Sequence, residues 1–179
     1  MENKVSPAKS GLQLGVLFGS IMVLEFVIMY VVGMQKLVGT SYGLVVNFLN
    51  YLVLPLVFIF LGCNNYKKNN NGFVSFSECL KIGVSILVIA ALIYAVFNLI
   101  FNLIFPEFTD QMLAITKMEM LKKKPDTTKQ EMEMVLSMTK KFLSPYIVFP
   151  VTIAMYAFFG LIYSLIIGAI VKKDTNQSF

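Results

Sequence analysis

The sequence predicts an all-α membrane protein: four transmembrane helices with an extramembranous helical hairpin between the third and the fourth. Composition is the first reason, since 57% of the 179 residues are hydrophobic, 14% are charged and the mean hydropathy is +0.74. A water-soluble domain with that balance would expose far too much apolar surface. Layout is the second reason, because four long apolar stretches are interrupted only once by a long charged segment.

Each apolar stretch is long enough to cross a bilayer, which takes about 20 mostly apolar residues in a helix. We place span one at 11–33, span two at 42–62, span three at 76–105, the insert at 106–144 and span four at 145–171. The whole chain, 1–179, is then a single membrane domain. Span one is longer than the apolar core of a secretory signal and is not followed by a small-residue cleavage site, so we expect it to be retained.

Short local motifs support these boundaries. Ser75 and Glu78 form an S-x-x-E capping box, in which each side chain satisfies a backbone N–H at the start of a helix. Pro106 ends span three because the residue before a proline avoids the helical region. Pro145 suits the first helical position of span four. Within span two, Pro55 predicts a kink.

The insert has the pattern of two amphipathic helices separated by Pro125. Apolar residues recur at helical spacing on both sides of that proline: Phe108, Met112 and Ile115, then Met132, Val135, Leu136, Phe142 and Leu143. Thr128 and Glu131 supply a second capping box. The two helices either close as a hairpin over the mouth of the bundle or lie on the membrane surface. We favour the hairpin. The positive and negative charges of the insert nearly cancel, so strong electrostatic binding to anionic lipid is not expected.

All basic residues are lysines, which leave a net charge of +5 and lie mostly near the ends of the spans. More of them lie within about 15 residues of a span end on the side of the termini, so the positive-inside rule predicts cytoplasmic termini and an external insert. The expected partner is the lipid bilayer of a bacterial inner membrane. No basic run interleaved with aromatic residues indicates nucleic-acid binding. Cys63 and Cys79 are expected to be free thiols.

Several polar side chains are predicted to form a buried layer inside the bundle, because an ionisable group deep in a span is costly unless it faces the interior. The candidates are Glu25, Asn47, Asn50, Tyr94, Asn98, Asn102 and Thr152. Glu25 and its nearest equivalents on the other spans lie about 10–12 Å from the predicted outer ends, at 1.5 Å per residue. We interpret the layer mainly as interhelical hydrogen bonding. The functional alternative is a proton or solute site.

Small residues form two helix-packing seams, one on span one and one on span four. They are Gly11, Gly15 and Gly19, and Gly160, Ser164 and Gly168. In lipid, such seams let backbones approach closely enough for packing to drive association. We expect the two seams to pack on each other within one chain; a homodimer face is the alternative.

No catalytic constellation is found in the sequence. It contains no His or Arg, no nucleophile elbow, no zinc-ligand spacing and no Gly-rich phosphate loop, so we expect neither an enzyme nor a bound cofactor. The pairs Met118 with Met120 and Met132 with Met134 carry thioethers, which suit soft copper. Residues two apart on a helix point to different faces, and methionine also fills loosely defined apolar surfaces, so no metal site is expected.

Two segments of the chain resemble a known family. They are residues 72–83, with the letters GFVSFSECLKIG, and residues 138–145, with the letters MTKKFLSP. Together with the four-span order, they resemble the DUF4199 family, small membrane proteins of uncharacterised function found mainly in Bacteroidetes. The resemblance covers nearly the whole chain. It implies a four-helix inner-membrane protein with an extracytoplasmic insert, and it implies no activity and no catalytic residues.

Two functional hypotheses follow from these features. The first is a structural, regulatory or partner-binding membrane protein whose insert is the recognition element, meeting a membrane protein partner or a second copy of the chain. The second is a small transporter or channel subunit that uses the polar layer around Glu25. Four spans are few for a solute path, so the second hypothesis requires an oligomer.

Overall fold

The computed structural model describes residues 6–173, and nearly all of them are helical. The elements in chain order are α1 (Pro7–Ser10), α2 (Leu12–Val32), α3 (Met34–Leu37), α4 (Ser41–Phe48), a π-helical turn (Leu49–Val53), α5 (Leu54–Asn69), α6 (Phe76–Ile104), α7 (Glu107–Lys123), α8 (Lys129–Leu143) and α9 (Pro145–Val171). Within the described residues the only strand-like feature is an isolated antiparallel bridge between Val74 and Lys173.

Four helical segments are long and apolar enough to cross a membrane: α2, the continuous run Ser41–Asn69, α6 and α9. They are spans one to four. Large apolar side chains such as Leu24, Val31 and Ile170 are exposed on their outer faces, and lipid is the solvent that such a surface requires. The predicted fold class is therefore confirmed: the chain is a multi-pass, all-helical membrane protein.

Helix α6 lies at the centre of the bundle and packs against α2, α5 and α9. Ile82, Ile86, Leu87 and Ala90 on this helix are completely buried. Its own small residues let neighbours approach on more than one face, which is what helix association in lipid demands. The core of the protein is thus built around span three.

Both small-residue seams pack on α6. A Cβ at Gly15 would lie 2.8 Å from Cβ of Ile89, and a Cβ at Gly160 would lie 3.1 Å from Cα of Val84. The prediction that the two seams pack on each other is therefore wrong. The reason is that α6 lies between them, with Gly83 and Ala90 admitting a neighbour on each side.

Span two departs from a regular helix where proline was expected to kink it. The π-helical turn Leu49–Val53 ends two residues before Pro55. The helix also continues to Asn69, beyond the predicted end at residue 62. Its last turns are held by neighbours: Tyr66 Oη donates to Glu78 Oε1 at 2.9 Å, and Lys67 Nζ donates to the Val171 carbonyl at 2.9 Å.

Both predicted capping boxes are confirmed. Ser75 and Glu78 cap α6, and Thr128 and Glu131 cap α8, each with both reciprocal bonds present. Pro145 occupies the start of α9, although the Ser144 side chain makes no capping bond there. The helix starts were predictable because each box satisfies backbone donors locally, without help from distant residues.

Candidate functional site

Glu25 and Asn50 meet in the bundle interior. Asn50 Nδ2 donates a hydrogen bond of 2.5 Å to Glu25 Oε2, which joins span one to span two. Both side chains are half-buried. Glu25 makes no ion pair within residues 6–173. The hydrogen-bond partner of its carboxyl group there is an amide and not a cation.

The π-helical turn positions Asn50 and has a cause in the sequence. Proline has no N–H, and its ring clashes with the carbonyl four residues earlier, which here belongs to Tyr51. Tyr163 Oη on span four donates to that carbonyl at 2.7 Å. π-Helical turns inside α-helices occur frequently at functional sites, and this one carries the amide that binds Glu25.

One buried polar atom next to Glu25 has no hydrogen-bond partner within the described residues. This atom is Asn50 Oδ1. An amide oxygen can accept two, and leaving a buried acceptor unpaired costs about 1–3 kcal/mol. Beside the Glu25 carboxyl group there is consequently unused capacity to accept a hydrogen bond from a donor.

Tyrosines of the neighbouring spans lie close to the Glu25–Asn50 pair. Tyr94 on span three and Tyr156 on span four are near enough to Glu25 to sense its charge. The ring of Tyr156 lies 6.0 Å from that of Tyr51, centroid to centroid. Tyr94 was predicted from the sequence, whereas Tyr51, Tyr156 and Tyr163 were missed. The available signal for Tyr156 was its spacing of four from Thr152 and from Gly160, which places it on the inward face of span four.

The remaining predicted members of the layer make no hydrogen bond to this pair within the described residues. Asn102 Nδ2 donates to the backbone and side-chain oxygens of Asn98, at 2.9 and 3.1 Å, so these two amides bond within α6. Asn98 is 8% exposed and Thr152 is also buried, on α9. Asn47 is exposed on α4. The hydrogen bonds thus join Glu25 to Asn50 and Asn102 to Asn98, and Asn47 is the predicted member whose side chain is exposed.

The first helix of the insert is attached to the bundle. The ring of Phe108 lies 5.3 Å from Phe101 and 5.5 Å from Phe26, centroid to centroid. Ile115 is buried in the same apolar cluster. Farther along α7, the Glu119 carboxylate lies against Gly39, in the connection between spans one and two. Helix α7 therefore crosses the end of the bundle from span three to that connection.

An open cleft of about 500 Å³ separates α7 from the end of span one. Tyr30, Met34 and Ile115 supply apolar walls, and Gln35, Lys36 and Gln111 supply polar groups. The cleft lies at the membrane boundary on the insert side, away from the Glu25 cluster. Of its polar groups, Gln35 and Lys36 belong to α3 and Gln111 belongs to α7.

The second helix of the insert has no buried residue. It contacts α7 and α9. Its exposed polar face is defined by four residues at helical spacing: Gln130, Glu133, Ser137 and Lys140. At its start, Lys124 Nζ donates to Glu131 Oε1 at 2.9 Å, and the Thr128 N–H donates to Oε2 at 3.0 Å. Both bonds stabilise the carboxylate, so they hold the pKa of Glu131 below its ordinary value.

Comparison with known families decides the assignment. A family model described as "Protein of unknown function (DUF4199)" matches residues 13–173. The chain belongs to the DUF4199 family. No curated protein and no solved structure matches this DUF4199 protein. The family description carries no activity, so the chemistry available to the protein must be argued from its own residues.

Two features of this DUF4199 protein offer groups that can bind a ligand or a partner. The Glu25 cluster offers a carboxyl group, an amide with a free acceptor, and two neighbouring phenols inside the bundle. The insert offers an amphipathic helix that is displayed outside the bundle. The first feature suits binding of a small hydrogen-bond donor, and the second suits binding of a macromolecule or a surface.

Proposed function

We propose that this DUF4199 protein is a multi-pass inner-membrane binding protein whose insert is its recognition element for a membrane protein partner. One observation carries the proposal: α8 contains no buried residue, although α7 beside it is packed on the bundle. A 15-residue helix that adds no buried residue to the core is expected to serve through its surface. The lysine distribution favours cytoplasmic termini and an external insert.

The polar face of α8 is the surface that we assign to the partner. Gln130, Glu133, Ser137 and Lys140 follow one another at spacings of three and four, so they share one side of the helix. They offer an acid, a base, an amide and a hydroxyl, and such mixed charges set register and specificity at an interface more than affinity. The expected complex is specific and moderate in strength.

Photo-crosslinking in native membranes tests this proposal. A photoreactive residue at Ser137 should capture a defined adduct, whereas the same residue at Ile170, which is exposed to lipid on α9, should not. Charge reversal by Glu133→Lys with Lys140→Glu should abolish the Ser137 adduct while the amount of protein in the membrane stays unchanged. A strictly monomeric species with no adduct at Ser137 would overturn the proposal.

A second candidate is a small oligomeric transporter or channel subunit, favoured by the free acceptor of Asn50 next to Glu25. Ionisable groups inside spans commonly mark proton or ion pathways. The test compares proton leak through vesicles that contain the wild type or Glu25→Gln, which keeps the shape of the side chain. A slower leak in the variant supports this candidate, and equal leaks remove it.

A further inference from the structure

An apolar stripe runs along α8 on a face that the protein does not cover. Met134, Met138 and Phe142 follow at spacings of four, and their side chains are 63%, 52% and 63% exposed. Three large apolar side chains exposed to water in a row either form a binding surface or promote aggregation. Something apolar is therefore expected to cover them.

The stripe is one part of a wider apolar face. At 100° per residue, Val135 adjoins Phe142 on the helix circumference, and the half-buried side chains of Met132, Leu143 and Leu136 lie farther round, on the side away from Met134. The polar face of α8 takes up the remaining side. Helix α8 is thus amphipathic in the manner of helices that lie in a membrane interface, with only part of its apolar face in contact with the protein.

Both ends of α8 are close to the membrane boundary. Its last residue, Leu143, is joined through Ser144 to α9, which enters the bilayer. Its first residue follows α7 after the short connection 124–128, and the end of α7 lies against Gly39, between spans one and two. A helix of 15 residues, about 22 Å long, with both ends joined by short segments to elements at the boundary is expected to lie roughly along the membrane surface.

Exposed apolar residues at the start of span four follow the stripe closely in the chain. Tyr146, four residues after Phe142, is 87% exposed at the start of α9, and Ile147 beside it is exposed as well. Tyrosines are enriched at the boundary between acyl chains and headgroups. Lys140 and Lys141 are exposed near the same end of α8, where their ammonium groups can reach headgroup phosphates.

We propose that Met134, Met138 and Phe142 insert into the headgroup–acyl boundary of the bilayer, so that α8 is an interfacial helix. The occupant of the stripe is lipid of the membrane that the four spans cross. A second copy fits less well, because a stable interface needs about 800 Å² from each partner and three side chains supply much less. With the stripe in lipid, the polar face of α8 is turned toward water.

Insertion of the stripe into lipid orients the polar face of α8, which the proposed function assigns to the partner. Insertion itself does not require the partner. Its test uses the purified full chain in vesicles with no other protein. Absence of the Ser137 adduct in the chain without charge reversal would overturn the proposed function and leave the lipid contact standing. Failure of the lipid contact would leave the Ser137 adduct standing. The two failures are therefore distinguishable.

The experiment attaches a nitroxide to cysteines that are introduced one at a time. It measures how accessible each label is to two relaxing agents: oxygen, which concentrates in lipid, and a nickel complex, which stays in water. Stripe positions 134, 138 and 142 are compared with polar-face positions 133, 137 and 140 in the same helix. Cys63 and Cys79 are buried, and the wild-type chain controls for their labelling.

We expect the ratio of oxygen to nickel accessibility to be several-fold higher at each stripe position than at its polar neighbours. Equal ratios on both faces would overturn the inference. Stripe positions shielded from both agents, with spin–spin broadening between labels on different chains, would also overturn it and would assign the stripe to a second copy. The far-ultraviolet circular dichroism of each labelled protein controls for folding.

Discussion

Tyr163 donates a hydrogen bond of 2.7 Å to the backbone carbonyl of Tyr51. In an uninterrupted α-helix that carbonyl would accept from the N–H of residue 55, which is a proline. Inside a bilayer no water can replace the missing N–H donor. Backbone groups freed by a proline must therefore find partners in neighbouring helices. Span four therefore completes the irregular turn of span two from which Asn50 reaches Glu25.

Removing the Tyr163 hydroxyl should weaken the bundle. We expect Tyr163→Phe to lower the free energy of unfolding by about 0.6–2 kcal/mol, the range for interhelical bonds in lipid. The same substitution should cost less in a Pro55→Ala background, because the alanine supplies an N–H to the Tyr51 carbonyl. Unfolding in mixed micelles measures both values. Equal costs in the two backgrounds would contradict the role assigned to Pro55.

The bond between Glu25 and Asn50 should appear as a coupling energy. In a double-mutant cycle with Glu25→Ala and Asn50→Ala, we expect the two changes to be non-additive by about 0.6–2 kcal/mol. Glu25→Ala with Asn102→Ala is the control cycle, because Asn102 bonds to Asn98; that pair should be additive. Additivity in the first cycle would show that the bond contributes nothing to stability.

Gly83 on α6 faces Ser164 on α9 with no room for a side chain at position 83. A Cβ at Gly83 would collide with Ser164 Oγ and lie 2.9 Å from Ile59 Cγ2. Gly83→Ala should therefore cost about 1–3 kcal/mol through overpacking, measured by unfolding in mixed micelles. Adding Ser164→Gly should restore part of the loss, since it removes one of the two colliding groups.

Ser164→Ala alone is the matched control for that pair. Ser164 Oγ is buried and has no partner within the described residues, so its removal should leave stability unchanged or raise it. A large loss from Ser164→Ala would mean that the hydroxyl has an important partner and would contradict the packing account of this contact.

The start of α8 should respond to acid through Glu131. Its pKa is lowered, first by the bond from Lys124 and then by the bond from the Thr128 N–H. A lowered pKa stabilises the folded helix start at pH values above the ordinary value of 4.5, and this contribution is lost as pH falls through the folded pKa.

Carbon-13 NMR of the Glu131 carboxyl group measures that titration. We expect Lys124→Met to move its midpoint upward, toward the ordinary value, because the largest stabilising bond is gone. The bond from Thr128 should keep the midpoint from returning completely. An unchanged midpoint in Lys124→Met would show that the ion pair does not act in solution.

Local and compositional features of this fold were predictable from the sequence. The capping boxes at Ser75 and Thr128 use partners three residues away, and the four spans follow from length and apolar composition alone. The π-helical turn before Pro55 was anticipated only as a kink, because the carbonyl freed by a proline can be satisfied in several ways. The arrangement of α6 between the two seams depends on which small faces meet, which no single segment reveals.

The polar cluster was only partly predictable, for the same reason. Glu25 and Asn50 share a depth in the bilayer, and depth can be counted from the span ends. The rotation of each helix about its axis cannot be counted in this way, so Asn47 was expected inside and is exposed, while Tyr156 was missed and is buried. Rotations are set by packing on α6, which involves residues far apart in the chain.

Sidedness tests the central claim, that four crossings place the insert and the connection between spans two and three on opposite sides of the membrane. Single cysteines replace Lys123 and Lys68, both of which are exposed, and a membrane-impermeant thiol reagent is applied to intact spheroplasts and after lysis. We predict labelling at position 123 before lysis and at position 68 only after lysis. Labelling of both positions before lysis would contradict the four-span architecture, and labelling of position 68 alone would reverse the proposed orientation.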